Sequence, residues 1–163
     1  MARGLERFPT LSLHGFTLAE ILFVLAIFSV LAAIAIPDWA SLLPTHRLNS
    51  AARQIQSQLA TIKSRAVAKN ASYRLSFSTT GYVIQTDPGS GWQSAGESGA
   101  LPEGIAITSS SPSALGFTAR GTATPGTGGT VRLCNDVNAG TNIVVSSTGR
   151  IRICKPSTCN GSC

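Results

Sequence analysis

Residues 16–36 are apolar with a single ionisable exception, Glu20, and the run stops at Pro37. At about 1.5 Å per residue it makes roughly 32 Å of helix, which predicts a segment matched to a bilayer core of about 30 Å. An unpaired carboxylate in such a run costs at least about 2.5 kcal/mol on insertion scales, so it calls for a functional reason. Two ordinary readings of the run are a secretory signal peptide, with Arg3 and Arg7 at its basic end and Ala33-Ile34-Ala35 as cleavage site, and a plain membrane anchor. The signal peptide fits poorly, because the run is longer than the usual apolar core of about 7–15 residues and contains a glutamate.

Past Pro37 the pattern changes. Pro37 and Pro44 together predict a bent or loosened junction over 38–44, with Thr45 as the cap of a second helical stretch. Leu48, Ala52, Ile55, Leu59, Ile62 and Ala66 then recur at spacings of four and three, one apolar stripe on a helix that packs on a sheet. The other side holds Arg53, Gln56, Ser57, Lys63 and Ser64, so this helix faces water on one side and is not a second span. Its cations read most simply as a solvated face, with anionic lipid or DNA as the sharper alternatives.

Beyond Asn70 short runs of β-formers alternate with Gly, Pro, Ser and Thr, predicting strands over 73–78, 82–86, 105–109, 115–118, 131–134, 142–147 and 150–154. Thr79-Thr80-Gly81 and Thr148-Gly149 read as hairpin turns, and 87–99 and 121–129 as glycine-rich surface loops. Gly126-Thr127-Gly128-Gly129 lacks the Gly-Lys-Ser/Thr and the helix of a phosphate loop and is set aside.

Charge sharpens this outline. From Asp38 onward there are 11 Lys or Arg against 5 Asp or Glu. The stretches 39–86 and 137–163 contain cations and no acid, a distribution suited to polyanions. Catalysis has little material. The only histidines are His14 and His46, no Gly-x-Ser-x-Gly occurs, and the carboxylates Asp87, Glu97 and Glu103 fall in or beside loops. No enzyme and no cofactor or metal is expected.

Gly15-Phe16-Thr17-Leu18-Ala19-Glu20, with the apolar run after it, resembles the processing site of type IV prepilins. The resemblance implies that residues 1–15 are a basic leader removed by a prepilin peptidase after Gly15. It also implies that Phe16 becomes the methylated N-terminus of the mature chain. Glu20 is then its fifth residue, an assembly residue whose carboxylate offsets the new amino group of a neighbouring subunit as helices pack side by side; such a buried pair is tolerable where either charge alone is not. The implied location is the bacterial inner membrane as a single-pass prepilin with a periplasmic head, then the pilus or cell surface.

Export on this reading puts Cys134, Cys154, Cys159 and Cys163 in an oxidising compartment, where an even count favours two disulfides. The favoured pairing joins Cys134 with Cys154 and Cys159 with Cys163, and the runner-up joins Cys134 with Cys163 and Cys154 with Cys159. Four thiolates could also hold zinc, but paired Cys-x2-Cys knuckles are lacking.

In the predicted strand 150–154, alternation puts Arg150 and Arg152 on one face and Ile151 and Ile153 on the other, with Lys155 at its end. Guanidinium groups at that spacing suit successive phosphates, whereas the plainer reading is a soluble edge strand. The whole chain resembles minor pilins and pseudopilins of the GspH/FimT group. Within it, Gly149-Arg150-Ile151-Arg152 looks like the Gly-Arg-x-Arg motif of FimT-type minor pilins, which bind DNA in natural transformation.

The fold expected is therefore α+β, a type IV pilin fold. A long N-terminal helix, membrane-spanning in its first half (16–37) and amphipathic in its second (38–70), packs on a β-rich globular head (71–163). The function implied is a minor pilin that binds DNA without sequence preference through Gly149, Arg150, Arg152 and Lys155. The alternative is a structural minor pilin or type II secretion pseudopilin that primes filament assembly. The partners implied are other pilins, the prepilin peptidase, the inner membrane and DNA. Membrane-surface binding by the helix between Arg47 and Lys69 is a weaker third idea.

Overall fold

The computed structural model describes residues 16–162, and the side chains of all of these except 34–41. The expected leader with Gly15, and Cys163, lie outside the described residues. The chain divides into two units, Met1–Trp39 and Ala40–Cys163. Helix α1 (Leu18–Lys69) belongs to both.

In the first unit Thr17 caps the helix. Its Oγ1 accepts from the Glu20 N–H at 3.2 Å, and its carbonyl accepts from the Ile21 N–H at 3.2 Å. Thr17-Leu18-Ala19-Glu20 has the spacing of a capping box, with the carboxylate in the first turn, where the helix dipole favours negative charge. The apolar side chains beyond it have no cover: Phe16 and Leu18 are each 78% exposed and Phe23 is 69% exposed.

Among the described residues no helix is long and apolar enough to cross a membrane. This overturns the expected membrane-spanning first half of the helix, and with it the single-pass inner-membrane placement. Helical backbone continues past Pro37 and Pro44, so Thr45 is interior to α1 and not the cap of a second helix.

In the second unit, every member of the apolar stripe is buried, joined by Ala51. The helix ends in a Schellman turn. Asn70 adopts a left-handed φ of 50°, its N–H donates to the Val67 carbonyl, and the Ala71 N–H reaches back to the Ala66 carbonyl. Asparagine tolerates that conformation, so the helix stops where the sequence pattern changes.

Among the described residues the remainder forms nine strands: β1 (Ser72–Ser78), β2 (Gly81–Asp87), β3 (Gln93–Ala100), β4 (Ile105–Ser111), β5 (Ala114–Phe117), β6 (Ala123–Thr124), β7 (Gly128–Asn135), β8 (Gly140–Ser146) and β9 (Ile151–Cys154). They form two antiparallel sheets, ordered β3-β2-β1-β5-β6 and β4-β7-β8-β9. Leu75, Ile84, Leu115 and Phe117 from the first sheet and Val131, Leu133, Ile143 and Val145 from the second share one core with the α1 stripe.

The sequence pattern predicts seven of these strands and leaves β3 and β6 as loop. The β3 segment, Gln-Ser-Ala-Gly-Glu-Ser-Gly-Ala, has no β-branched or aromatic residue and is largely exposed. It is a strand because β2 offers an edge and α1 supplies polar anchors. Gln54 Nε2 donates to the Ala100 carbonyl at 3.3 Å and to the Tyr82 hydroxyl at 3.4 Å, and Arg65 pairs with Glu97 at 2.6 Å. Gly99 is needed there, because any Cβ would enter the ring of Tyr82 on the neighbouring strand.

The tail also departs from expectation. Cys134 on β7 is bonded to Cys159, so neither expected pairing holds. Cys154 is disulfide-bonded as well. The bond folds the tail back over the β7–β8 turn, where the Cys159 N–H donates to the Asn138 carbonyl and Asn142 Nδ2 donates to the Gly161 carbonyl. Gly140 lets the two segments approach, since a Cβ there would meet the Thr158 carbonyl at 2.7 Å. The expected link from Cys134 to Cys154 requires the ends of β7 and β9 to meet, but β8 lies between them.

Candidate functional site

Four basic residues of the second unit, Arg53, Lys63, Arg150 and Lys155, gather where α1 runs beside β9, the edge strand of the four-stranded sheet. Arg53, Ser57, Ala60 and Ser64 succeed one another at helical spacing along the flank of α1 next to its buried stripe. Three of these four side chains are small, which leaves an open groove of about 570 Å³ between this flank and Gly149, Arg150 and Ile151. A second hollow of about 340 Å³ continues past Arg53 to Ile153 and Lys155. His46 lies at the far end, beside Arg53 and Lys155.

One end of the groove is fastened by Lys63. Its Nζ donates to the Gly149 carbonyl at 2.9 Å and sits 5.7 Å from the centre of the Phe117 ring. Gly149 has φ +79°, and a Cβ there would strike the Gly121 carbonyl oxygen. The glycine of the Gly-Arg-x-Arg sequence thus has a structural cause in this chain: it shapes the turn into β9.

The two arginines after it are divided. β9 begins at Ile151, so Arg150 belongs to the turn, where its backbone pairs with Ser146. Arg150 lines the groove. Arg152 is exposed beside Val144 on the face opposite Ile151 and Ile153, and does not line it. Lys155 joins the adjoining hollow instead. β9 begins at Ile151, one residue after the expected start of that strand.

Arg53 and Lys63 carry the groove as much as the tail residues do, yet in sequence they read most simply as a solvated helix face, with anionic lipid or DNA as the alternatives. Small residues at 57, 60 and 64 beside them were the available signal, since a flank without bulk leaves space for something else. Arg74 forms a separate feature on the five-stranded sheet, with its guanidinium 4.0 Å from the Trp92 ring and Nε donating to Gln85 Oε1 at 2.7 Å. Burial lowers its pKa from the ordinary value, and the charge of Asp87 partly opposes this.

Known proteins match both units of the chain. The family described as Type II transport protein GspH matches residues 51–149, and the prokaryotic N-terminal methylation motif matches residues 13–36. The type IV minor pilin FimU of Pseudomonas aeruginosa, in a first crystal form, is 21% identical, with a TM-score of 0.59 over 71% of this chain and 96% of that one. In a second crystal form it is 24% identical, with a TM-score of 0.56 over 69% and 99%. The minor pseudopilin EpsH from the type 2 secretion system of Vibrio cholerae is 14% identical, with a TM-score of 0.56 over 67% and 97%. No curated protein matches.

The fold is thus of the type IV pilin and pseudopilin kind, without resolving a FimT-type subgroup. DNA binding as the chain's function does not stand. The similar structures are minor pilin and pseudopilin subunits, the family match ends at Gly149 before both arginines, and the cations assigned to one surface are divided. Among the described residues no three His, Cys, Asp or Glu side chains gather as a metal site needs.

Proposed function

The chain belongs to the family described as Type II transport protein GspH, and on that premise we propose that it is a minor subunit of a type IV pilus or type II secretion pseudopilus, with a structural role in filament assembly. The observation that carries this reading is the pairing of a pilin-like head with an uncovered apolar helix that opens on Thr17 and Glu20. Bare apolar side chains on 16–31 are unfavourable for a lone subunit in water and find cover when like helices pack together.

Processing after Gly15 and methylation of Phe16 are supported by the match to the methylation motif. Cleavage there leaves an amino group close to the capping box, and Glu20 is the acid available to offset the amine of an adjacent subunit. The prepilin peptidase and other pilins are the partners of this reading.

The test is deletion of the gene in the producing organism, then complementation. Loss of filaments or of protein secretion that the wild-type chain restores supports the reading, and the process lost separates pilus from pseudopilus. Glu20→Ala is expected to accumulate at a normal level yet be missing from sheared filaments. Unaltered filaments and secretion in the deletion strain would sink the proposal.

A further inference from the structure

The trough beside β9 borders a sheet edge that pairs with no further strand among the described residues. The Ser146 N–H donates to the Arg150 carbonyl, in line with the β8–β9 register, and hydrogen-bonded positions alternate along an antiparallel ladder. Arg152 and Cys154 therefore direct their backbone groups to β8, whereas Ile151 and Ile153 direct theirs away from it. The N–H and C=O of these two isoleucines have no partner among the described residues.

The cations along the trough are also unengaged. Lys63 is committed to Gly149, but the exposed side chains of Arg53, Arg150 and Lys155 have no hydrogen bond or ion pair among the described residues. β9 runs against α1, with residues 149–151 facing the 53–64 stretch and residues 153–155 facing the 46–53 stretch. β9 itself, Ile151–Cys154, is a short strand of roughly 13 Å.

We propose that the trough between α1 and β9 receives an extended, acidic segment of a different filament subunit, which adds as a strand to the free edge of β9. This rests on the proposed assembly role and names the kind of contact it uses. Strand addition supplies backbone hydrogen bonds for affinity, and alternate side chains supply selection. Every other residue of the incoming strand meets Arg53, Arg150 or Lys155, where a carboxylate gains a charge-assisted bond. Charges on an edge usually discourage pairing, but cations discourage only partners that are not acidic. A second copy of this chain is a poor occupant, because its net charge is +6.

The test uses the full-length chain in detergent and a blocked peptide of about seven residues that alternates glutamate and valine. Binding is read by anisotropy, and amide exchange of Ile151 and Ile153 by NMR. The peptide is expected to slow exchange at both amides. N-methylating its pairing edge, exchanging its glutamates for lysines, or combining Arg53→Gln with Arg150→Gln is each expected to weaken binding about tenfold or more. Absence of binding, or binding indifferent to N-methylation, overturns strand addition. Protection of the same amides by oligothymidylate but not by the peptide overturns it in favour of nucleic acid.

In the producing organism the arginine double variant is expected to be lost from filaments. If deletion abolishes assembly but that variant assembles normally, the trough proposal fails and the assembly role stands. If deletion has no effect, the assembly role fails and takes this proposal with it.

Discussion

The ammonium of Lys63, on α1, donates to the carbonyl of Gly149, 86 residues further along the chain. This contact ties the helix to the turn that launches β9 and closes one end of the basic trough. It is partly buried and charged, and the same ammonium faces the Phe117 ring, so it is of the stronger kind of side-chain bond.

Lys63→Met keeps the aliphatic stem and removes the donor. The expected loss is about 1–3 kcal/mol of unfolding free energy, with faster amide exchange concentrated in the 147–151 turn. Chemical denaturation and exchange measurements check it, and uniform loss of protection across the head would contradict a local fastening.

Gly149→Ala forces a left-handed residue to carry a Cβ and drives that atom into the Gly121 carbonyl. A penalty of at least about 2 kcal/mol is expected, larger than for Gly126→Ala, where a Cβ meets open space. Comparing the two midpoints separates the collision from a general glycine effect.

Gly99→Val should displace the Tyr82 ring, which is 4% exposed, and unseat β3 from β2. Overpacking of this kind costs about 1–3 kcal/mol. Glu97→Gln, which removes only a surface pair to Arg65, should cost less than about 1 kcal/mol. Denaturation midpoints of both variants test the ranking, and an equal loss would mean that the ion pair holds β3.

Non-reducing peptide mapping should recover Cys134 linked to Cys159. With a separation of 25 residues, losing this bond in Cys159→Ser should destabilise the head by about 2–4 kcal/mol. Recovery of a Cys134–Cys154 peptide instead would reject the folding of the tail over the β7–β8 turn.

The helix and most of the strands were legible because burial imposes a period on the chain. Leu48, Ala52, Ile55, Leu59, Ile62 and Ala66 had to share a face, and Asn70 had to stand where the helix could turn left-handed. The strand β3 was not legible, since its cause lies in Tyr82 on β2 and in Gln54 and Arg65 on α1 rather than in its own residues. The motif arginines were legible as charge but not as a surface. Arg150 lines the groove beside α1 and Arg152 does not, a difference that alternation along the tail does not show.

By itself the sequence determined the local order of this protein: an apolar helix, an amphipathic continuation, a β-rich head and a basic, acid-free tail. These arise from side-chain chemistry and periodicity, which act over a few residues. The tertiary structure alone decided that Cys134 meets Cys159, that Lys63 reaches Gly149, and that Arg53 and Arg150 flank one open sheet edge. Those pairings depend on strand order and on how the helix lies against the sheets, and contacts between distant residues leave no period in the chain to be read.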